Sequence, residues 1–123
     1  MKIPRAVMER RRSVRIAEKL PFKIGHGEFV TEAVTVNISF CGALCLVREN
    51  FPIMTQLKIA LSLPDGRKNS RRAKVLLMKG VVVRKEKALA DNHFLIAVYF
   101  SDIRPVDRQY LQKFIENRSS AAA

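Results

Sequence analysis

Most of the chain between Leu20 and Phe100 alternates between apolar and polar residues in short runs, and turn residues separate one run from the next. Successive side chains of a β-strand point to opposite faces, so this period of two predicts strands that each bury one face. Two of the turns are Gly25-His26-Gly27 and Pro64-Asp65-Gly66, because glycine accepts a positive φ and proline presets φ. About six such strands at regular spacing predict a small antiparallel β-barrel.

A helix follows the last predicted strand. After Asp102 the apolar period changes from two to that of a helix, and Pro105 suits the first helical turn. The apolar residues that helical spacing gathers on one face are Val106, Tyr110, Leu111, Phe114 and Ile115. We therefore predict an all-β fold with one C-terminal α-helix, and we expect residues 118–123 to form a disordered tail.

The chain carries a large excess of positive charge. Its 123 residues include 23 Lys and Arg against 11 Asp and Glu, which gives a formal net charge of +12 at pH 7. This imbalance indicates an anionic partner, such as a phosphate-bearing ligand, nucleic acid or an anionic membrane face. The first 15 residues hold six of the cations and one acidic residue, Glu9. We expect this stretch to be an N-terminal arm, flexible over residues 1–8.

The sequence argues against a membrane, secreted or catalytic protein. The longest apolar run, Phe94–Phe100, has seven residues, and a membrane helix needs about 20. We expect no membrane span, no secretion signal and a cytoplasmic location. The acidic residues are scattered, and neither His26 nor His93 lies in a nucleophile or metal motif, so we expect no enzyme activity, metal or other cofactor. Cys41 and Cys45 would lie about 13 Å apart on one strand, so we expect both to be reduced.

Two motifs are the candidates for ligand binding. The arm contains Arg11-Arg12-Ser13-Val14-Arg15, and arginine offers a planar fork that binds phosphate or a guanine edge at two points. The second motif is Asn37-Ile38-Ser39-Phe40-Cys41-Gly42. Its two small polar side chains are two residues apart, so we expect them on one face, and Gly42 would let backbone approach a ligand. Together the motifs predict a basic arm beside a shallow polar cradle.

These motifs resemble the two-part signature of PilZ domains, which are bacterial receptors for cyclic di-GMP. That signature is R-x-x-x-R followed by D/N-x-S-x-x-G. The stretches Gly80–Arg84 and Ile96–Phe100 also look like the family's last two strands, so the resemblance extends over residues 9–117. It implies a stand-alone PilZ domain with a six-stranded antiparallel β-barrel, a C-terminal helix, and ligand held between the arm and the barrel face.

The resemblance also implies which residues hold the ligand and how many ligands bind. The six residues are Arg10, Arg11, Arg15, Asn37, Ser39 and Gly42. Arg11 and Arg15 would bind phosphates and guanine edges, and Asn37, Ser39 and Gly42 would form the opposite wall. In this family an arginine at the place of Arg10 accompanies an intercalated pair of ligands, so we expect two molecules of cyclic di-GMP per domain. We expect binding to order the arm and to signal to a downstream protein partner.

Two alternatives remain open at this point. A small barrel with a basic arm could bind DNA or RNA through phosphate contacts. Its aromatic content is 7% with no tryptophan, which offers no evident stacking platform, so we expect no specific nucleic-acid partner. The other alternative is a PilZ-like adaptor that has lost ligand binding and acts only through protein contacts.

Overall fold

The computed structural model describes residues 15–64, 73–88 and 92–122. Within these ranges the chain forms six strands and one helix. The elements are β1 (Pro21–His26), β2 (Phe29–Ile38), β3 (Gly42–Val47), β4 (Gln56–Pro64), β5 (Ala73–Lys87), β6 (Phe94–Ile103) and α1 (Pro105–Ala122).

The six strands form one closed barrel in the order β1-β2-β3-β6-β5-β4, and every neighbouring pair is antiparallel. This confirms the predicted six-stranded antiparallel barrel followed by a helix. Strand β4 illustrates how the sequence fills the barrel interior. Its large apolar residues alternate with polar or small ones, and all four are buried: Leu57, Ile59, Leu61 and Leu63. The period of two therefore places one apolar row per strand in the core.

Strand β2 departs from simple alternation. Ala33 and Thr35 face the interior, whereas Val34 between them is exposed. The pairing with β3 shifts between Thr35 and Asn37, which marks a β-bulge. Because the bulge adds a residue, Ile38 turns into the core while Asn37 remains partly exposed. The bulge therefore brings the first residue of the second motif to the surface of the barrel.

The turn between β1 and β2 lies later than the sequence predicted. The two turn residues are Gly27 and Glu28, and His26 pairs with Phe29 across the hairpin. Gly27 has a φ of 61°, which suits the first position of a type II′ hairpin turn. Gly25 instead lies inside β1, on the outer face of the barrel, because Ile24 before it points into the core and side chains alternate along a strand.

Helix α1 packs one face against the barrel, as predicted for most of its apolar residues. Leu111, Phe114 and Ile115 are buried, but Val106 is 63% exposed. Asp107 takes the inward position of the first turn, since it is spaced four residues from Leu111. Its carboxylate is buried and accepts a hydrogen bond from Arg104 Nε at 3.0 Å, so the charge is not left unpaired.

The helix continues through Ala122, whereas the sequence predicted a disordered tail over residues 118–123. Arg118 contributes to this extension: its Nε lies 3.2 Å from Glu18 Oε2, and its guanidinium lies 4.9 Å from the centre of the Phe114 ring. The alanines that follow have the highest intrinsic helix propensity. No helix in the described part of the chain is long and apolar enough to cross a membrane.

Candidate ligand-binding site

The base of the N-terminal arm is held against β2. Ile16 forms an isolated antiparallel bridge with Ile38, with both backbone hydrogen bonds at 3.0 Å. The buried Thr35 hydroxyl donates to the carbonyl of Glu18 at 2.6 Å and accepts from the amide of Leu20 at 2.9 Å. These contacts fix the chain between Ile16 and Leu20, so the residue just before them has a defined position on the barrel.

That residue is Arg15, and it contacts the second motif directly. Arg15 Nη1 donates a hydrogen bond of 3.1 Å to Asn37 Oδ1. Arg15 is exposed and Asn37 is partly exposed. The structure thus brings together one residue from each motif, separated by 22 positions in sequence. Arg10 and Arg11, the other two arginines predicted to bind ligand, lie outside the described residues.

Ser39 has a different setting from the one that the sequence predicted. Its side chain is fully buried, and its hydroxyl accepts hydrogen bonds from the amides of Cys41 at 3.2 Å and Gly42 at 3.3 Å. The Ser39 amide also donates to the Gly42 carbonyl at 2.8 Å. We expected Asn37 and Ser39 to present polar groups on one open face. In the structure Asn37 faces the surface, while Ser39 stabilises the turn that leads into β3.

Gly42 is required by strand packing. It pairs with Tyr99 of β6, and a Cβ atom at position 42 would overlap the carbonyl oxygen of Val98. The sequence suggested that this glycine allows backbone to approach a ligand. The structure gives a reason that involves no ligand, since any side chain here would push β3 away from β6.

The register of the strands places a second guanidinium on the same outer wall. Asn37 pairs with Leu44, Leu44 with Ala97, and Ala97 with Arg84. Three strand spacings separate Arg84 from Asn37, which corresponds to about 14 Å. Leu44 and Ala97 are half-buried, so they form a low apolar floor between Arg15 at one end and Arg84 at the other.

Sequence reasoning missed Arg84 and Tyr99 as candidate site residues. Tyr99 is 47% exposed on the same outer wall, two residues from Ala97. Neither residue belongs to a motif, and only the pairing of β5 with β6 and of β6 with β3 brings them to the same outer wall as Asn37. In the described part of the chain neither Arg15 nor Arg84 forms an ion pair. Both positive charges are therefore available to an anion.

The two cysteines differ in burial. Cys41 and Cys45 are both free, and Cys45 is buried in the core. Burial raises the pKa of the Cys45 thiol to about 12, because the charged thiolate is poorly solvated inside the barrel. Cys45 therefore remains a neutral thiol near pH 7 and serves as a small apolar residue. Across the described ranges, no three His, Cys, Asp or Glu side chains are grouped so as to hold a metal ion.

Comparison with known proteins identifies the family. Residues 9–117 match the sequence profile of the PilZ domain, and this range includes both motifs. The chain belongs to the PilZ domain family. No curated protein sequence matches this PilZ domain.

Solved structures share the fold at low sequence identity. The Bacillus subtilis Inhibitor of motility (MotI/DgrA) has a TM-score of 0.75 and 19% identity, and the alignment covers 87% of this chain and 50% of that protein. The Borreliella burgdorferi PlzA protein, determined in complex with c-di-GMP, has a TM-score of 0.63 and 13% identity, with 97% of this chain and 57% of PlzA covered. This PilZ domain thus spans little more than half the length of either protein.

Proposed function

We propose that this PilZ domain is a receptor for cyclic di-GMP, held between the arginines of the arm and the outer wall formed by β2, β3 and β6. The observation that carries the proposal is the hydrogen bond between Arg15 and Asn37, since it joins the two motifs at one point of the surface. Membership of the PilZ family and the fold shared with PlzA, which was determined with c-di-GMP bound, support it.

The chemistry of this surface suits a dinucleotide with two phosphates and two guanines. Arg15 can bind a phosphate oxygen or the O6 and N7 edge of guanine with its planar fork. Asn37 accepts from Arg15 through Oδ1, so its Nδ2 group remains free to donate to a guanine acceptor. The half-buried apolar side chains of Leu44 and Ala97 could receive the face of a base. Ser39 and Gly42 act here by shaping the turn that supports Asn37.

The arm would close over the ligand in this proposal. Arg10 and Arg11 repel one another and Arg15 when no anion is present, and two phosphates neutralise that charge. The bridge between Ile16 and Ile38 already fixes the base of the arm, which lowers the entropy that binding must remove. Closure would change the exposed surface and so signal to a downstream protein. Amide hydrogen exchange over residues 5–18 should slow with ligand, and unchanged exchange would rule this closure out.

The number of ligands depends on Arg10 in this proposal. An additional arginine ahead of the motif gives a stacked pair of ligands one more guanidinium to bind and to stack on. Calorimetric titration should therefore saturate at two molecules of cyclic di-GMP per chain. Replacing Arg10 with alanine should reduce this to one. Saturation at one ligand in the unsubstituted protein would contradict the binding of a ligand pair. The protein would then be a receptor that binds a single molecule of cyclic di-GMP.

The receptor is tested by calorimetric titration with cyclic di-GMP, GTP and a random oligonucleotide at one ionic strength. Arg15→Ala should weaken cyclic di-GMP binding by about tenfold or more, because one charge-assisted contact is worth about 1.5 to 3 kcal/mol. Arg48→Ala is the matched control: Arg48 is exposed just after β3, at the end opposite Gly42, and it has no described ion pair. Its removal subtracts the same charge and should change the affinity less than about twofold.

Two outcomes of this titration favour the alternatives. One outcome is equal binding heats for all three anions, together with an equal loss of affinity in the Arg15→Ala and Arg48→Ala variants. This result would indicate a nucleic-acid binder that recognises its ligand by charge alone. No response to cyclic di-GMP at tens of micromolar would indicate a PilZ adaptor that acts without the ligand.

A further inference from the structure

An open groove of about 480 Å³ crosses the outer wall of the barrel over β1, β4 and β5. In the strand order, β1 and β4 lie across the barrel from β3 and β6, which carry most of the candidate ligand site. The groove shares no residue with the row from Asn37 to Arg84. It is therefore a second surface feature that ligand binding leaves unexplained.

The groove has a low floor because small residues occupy its centre. Gly25 of β1 has no side chain, and on β4 the half-buried Ala60 lies two residues from Lys58, the residue that pairs with Gly25. Larger apolar residues rise at the sides: Val30 is 71% exposed and Leu77 is 66% exposed. Exposed apolar surface of this kind, concave and bordered by polar residues, is typical of a site that binds another molecule.

Three lysines border this apolar floor. Lys58 of β4 is directly opposite Lys79 of β5, and Lys23 of β1 is directly opposite Ala60. Like charges directly opposite on neighbouring strands repel one another. Asp102 pairs in register with Lys79, yet none of the three lysines forms an ion pair with a carboxylate in the described residues. The lining as a whole holds four cationic side chains and one acidic one, and of the cations Arg104 pairs with Asp107. A carboxylate bound beside Lys58 and Lys79 would relieve this repulsion.

We propose that this groove binds an acidic, amphipathic segment of a partner protein. Apolar side chains of the segment would lie over Gly25 and Ala60 against Leu77, and its carboxylates would pair with Lys58 and Lys79. The groove would supply the contact with the downstream protein that the proposed receptor function requires. Its own chemistry needs no cyclic di-GMP, so the two proposals can fail separately.

The charge and shape of the groove argue against other occupants. A second copy of the chain carries the same net charge of +12 and would be repelled. The N-terminal arm is basic as well, so it has the wrong sign to cover the three lysines of the groove. An anionic membrane has the right sign, but the flat bilayer surface cannot fill a concave floor, whereas a peptide side chain can.

The test uses the full chain, labelled with ¹⁵N, and three synthetic peptides followed by amide chemical shifts. One peptide of ~15 residues carries leucines at helical spacing and glutamates elsewhere; in the second the glutamates are glutamines, and in the third the leucines are serines. The acidic amphipathic peptide should shift amides around Gly25, Ala60 and Leu77 and leave those of Asn37 to Gly42 unchanged. Each of the other two peptides should bind at least about fivefold more weakly.

Matched variants separate the groove from general surface effects. Leu77→Ser removes an apolar side of the groove, and Lys58→Gln removes a positive charge. Each substitution should lower the affinity for the acidic peptide by about fivefold or more. The first control is Met54→Ser, at a residue that is 71% exposed in the turn before β4. The second control is Lys113→Gln, on the exposed face of α1. Both controls should stay within about twofold of the unsubstituted protein. Amide dispersion in each spectrum shows that the variant is folded.

Several results would overturn this proposal. These are an acidic peptide that produces no shifts at millimolar concentration, shifts spread over all surface lysines, or equal binding of the acidic peptide and its glutamine version. Sedimentation with phosphatidylglycerol vesicles provides an additional experiment that tests for membrane binding. Vesicle binding that Leu77→Ser abolishes, without peptide binding, would assign the groove to a membrane surface instead.

Discussion

At the scale of single residues, the second motif has more than one physical task. Asn37 is available at the surface, but Ser39 and Gly42 are both committed to the junction between β2, β3 and β6. In the proposed receptor the motif would therefore build the wall as well as bind the ligand that lies on it. Spacing alone could predict that these residues belong together. It could not separate the contact residue from the structural ones, because that depends on which atoms of β6 lie behind the turn.

Gly42→Ala should lower the free energy of unfolding by about 1 to 3 kcal/mol, measured by urea denaturation. The added Cβ would meet the Val98 carbonyl, which is backbone and cannot move aside as a flexible side chain would. Gly25→Ala is the control, since its Cβ would meet nothing closer than 3.6 Å. That variant should match or exceed the stability of the unsubstituted chain. Equal destabilisation in both variants would show that the strand junction does not require glycine.

At the scale of elements, the sequence predicts the strands but does not predict the β-bulge in β2. The period of two in β4 is visible in the sequence because the whole strand obeys it. In β2 the valines alternate just as regularly, yet Val34 and Val36 are exposed and the interior is formed by Ala33 and Thr35. The bulge at Val36 depends on the register with β3, which is a long-range property. Sequence therefore predicted that the strand exists, but not which face the valines occupy.

Thr35→Val tests the attachment of the arm to β2. The substitution keeps the shape of the side chain but leaves the Leu20 amide without its buried acceptor, so the free energy of unfolding should fall by about 1 to 3 kcal/mol. Amide exchange at Ile16 to Leu20 should also become faster, and cyclic di-GMP should bind more weakly because Arg15 loses its defined position.

Thr31→Val is the control on the same strand. The Thr31 hydroxyl donates to Glu49 Oε2 at 3.0 Å, away from the arm. This variant should leave exchange at Ile16 to Leu20 unchanged. If the two variants increase exchange there equally, the Thr35 contacts do not anchor the arm.

At the scale of the whole molecule, barrel closure and net charge act in opposite directions on stability. Closure gives the described strands a single shared core, while a charge of +12 favours expansion through self-repulsion. The barrel class followed from strand number and spacing. The strand order around the barrel, which places Arg84 on the Asn37 row and the lysine-bordered groove on the other side, required the structure.

Raising NaCl from about 50 to 300 mM should raise the melting temperature by about 3 °C or more, because salt screens the repulsion between cations. Thermal unfolding followed by circular dichroism measures this. Sorbitol at the same osmolality is the control for effects other than charge and should produce a smaller rise. A melting temperature that salt does not change would mean that the positive charges are already compensated in the folded state.

The closed ring of strands has a consequence for every partner of this molecule. An open sheet can accept a peptide as an additional strand, through the unpaired amides and carbonyls along its border. The strands described here pair on both sides at the middle of the barrel, whereas Phe29–Ala33 of β2 pair only with β1 and Arg84–Lys87 of β5 pair only with β6. A partner that recognises the middle of the barrel wall must therefore contact side chains, and systematic alanine replacement along that part of the wall is sufficient to find where it binds.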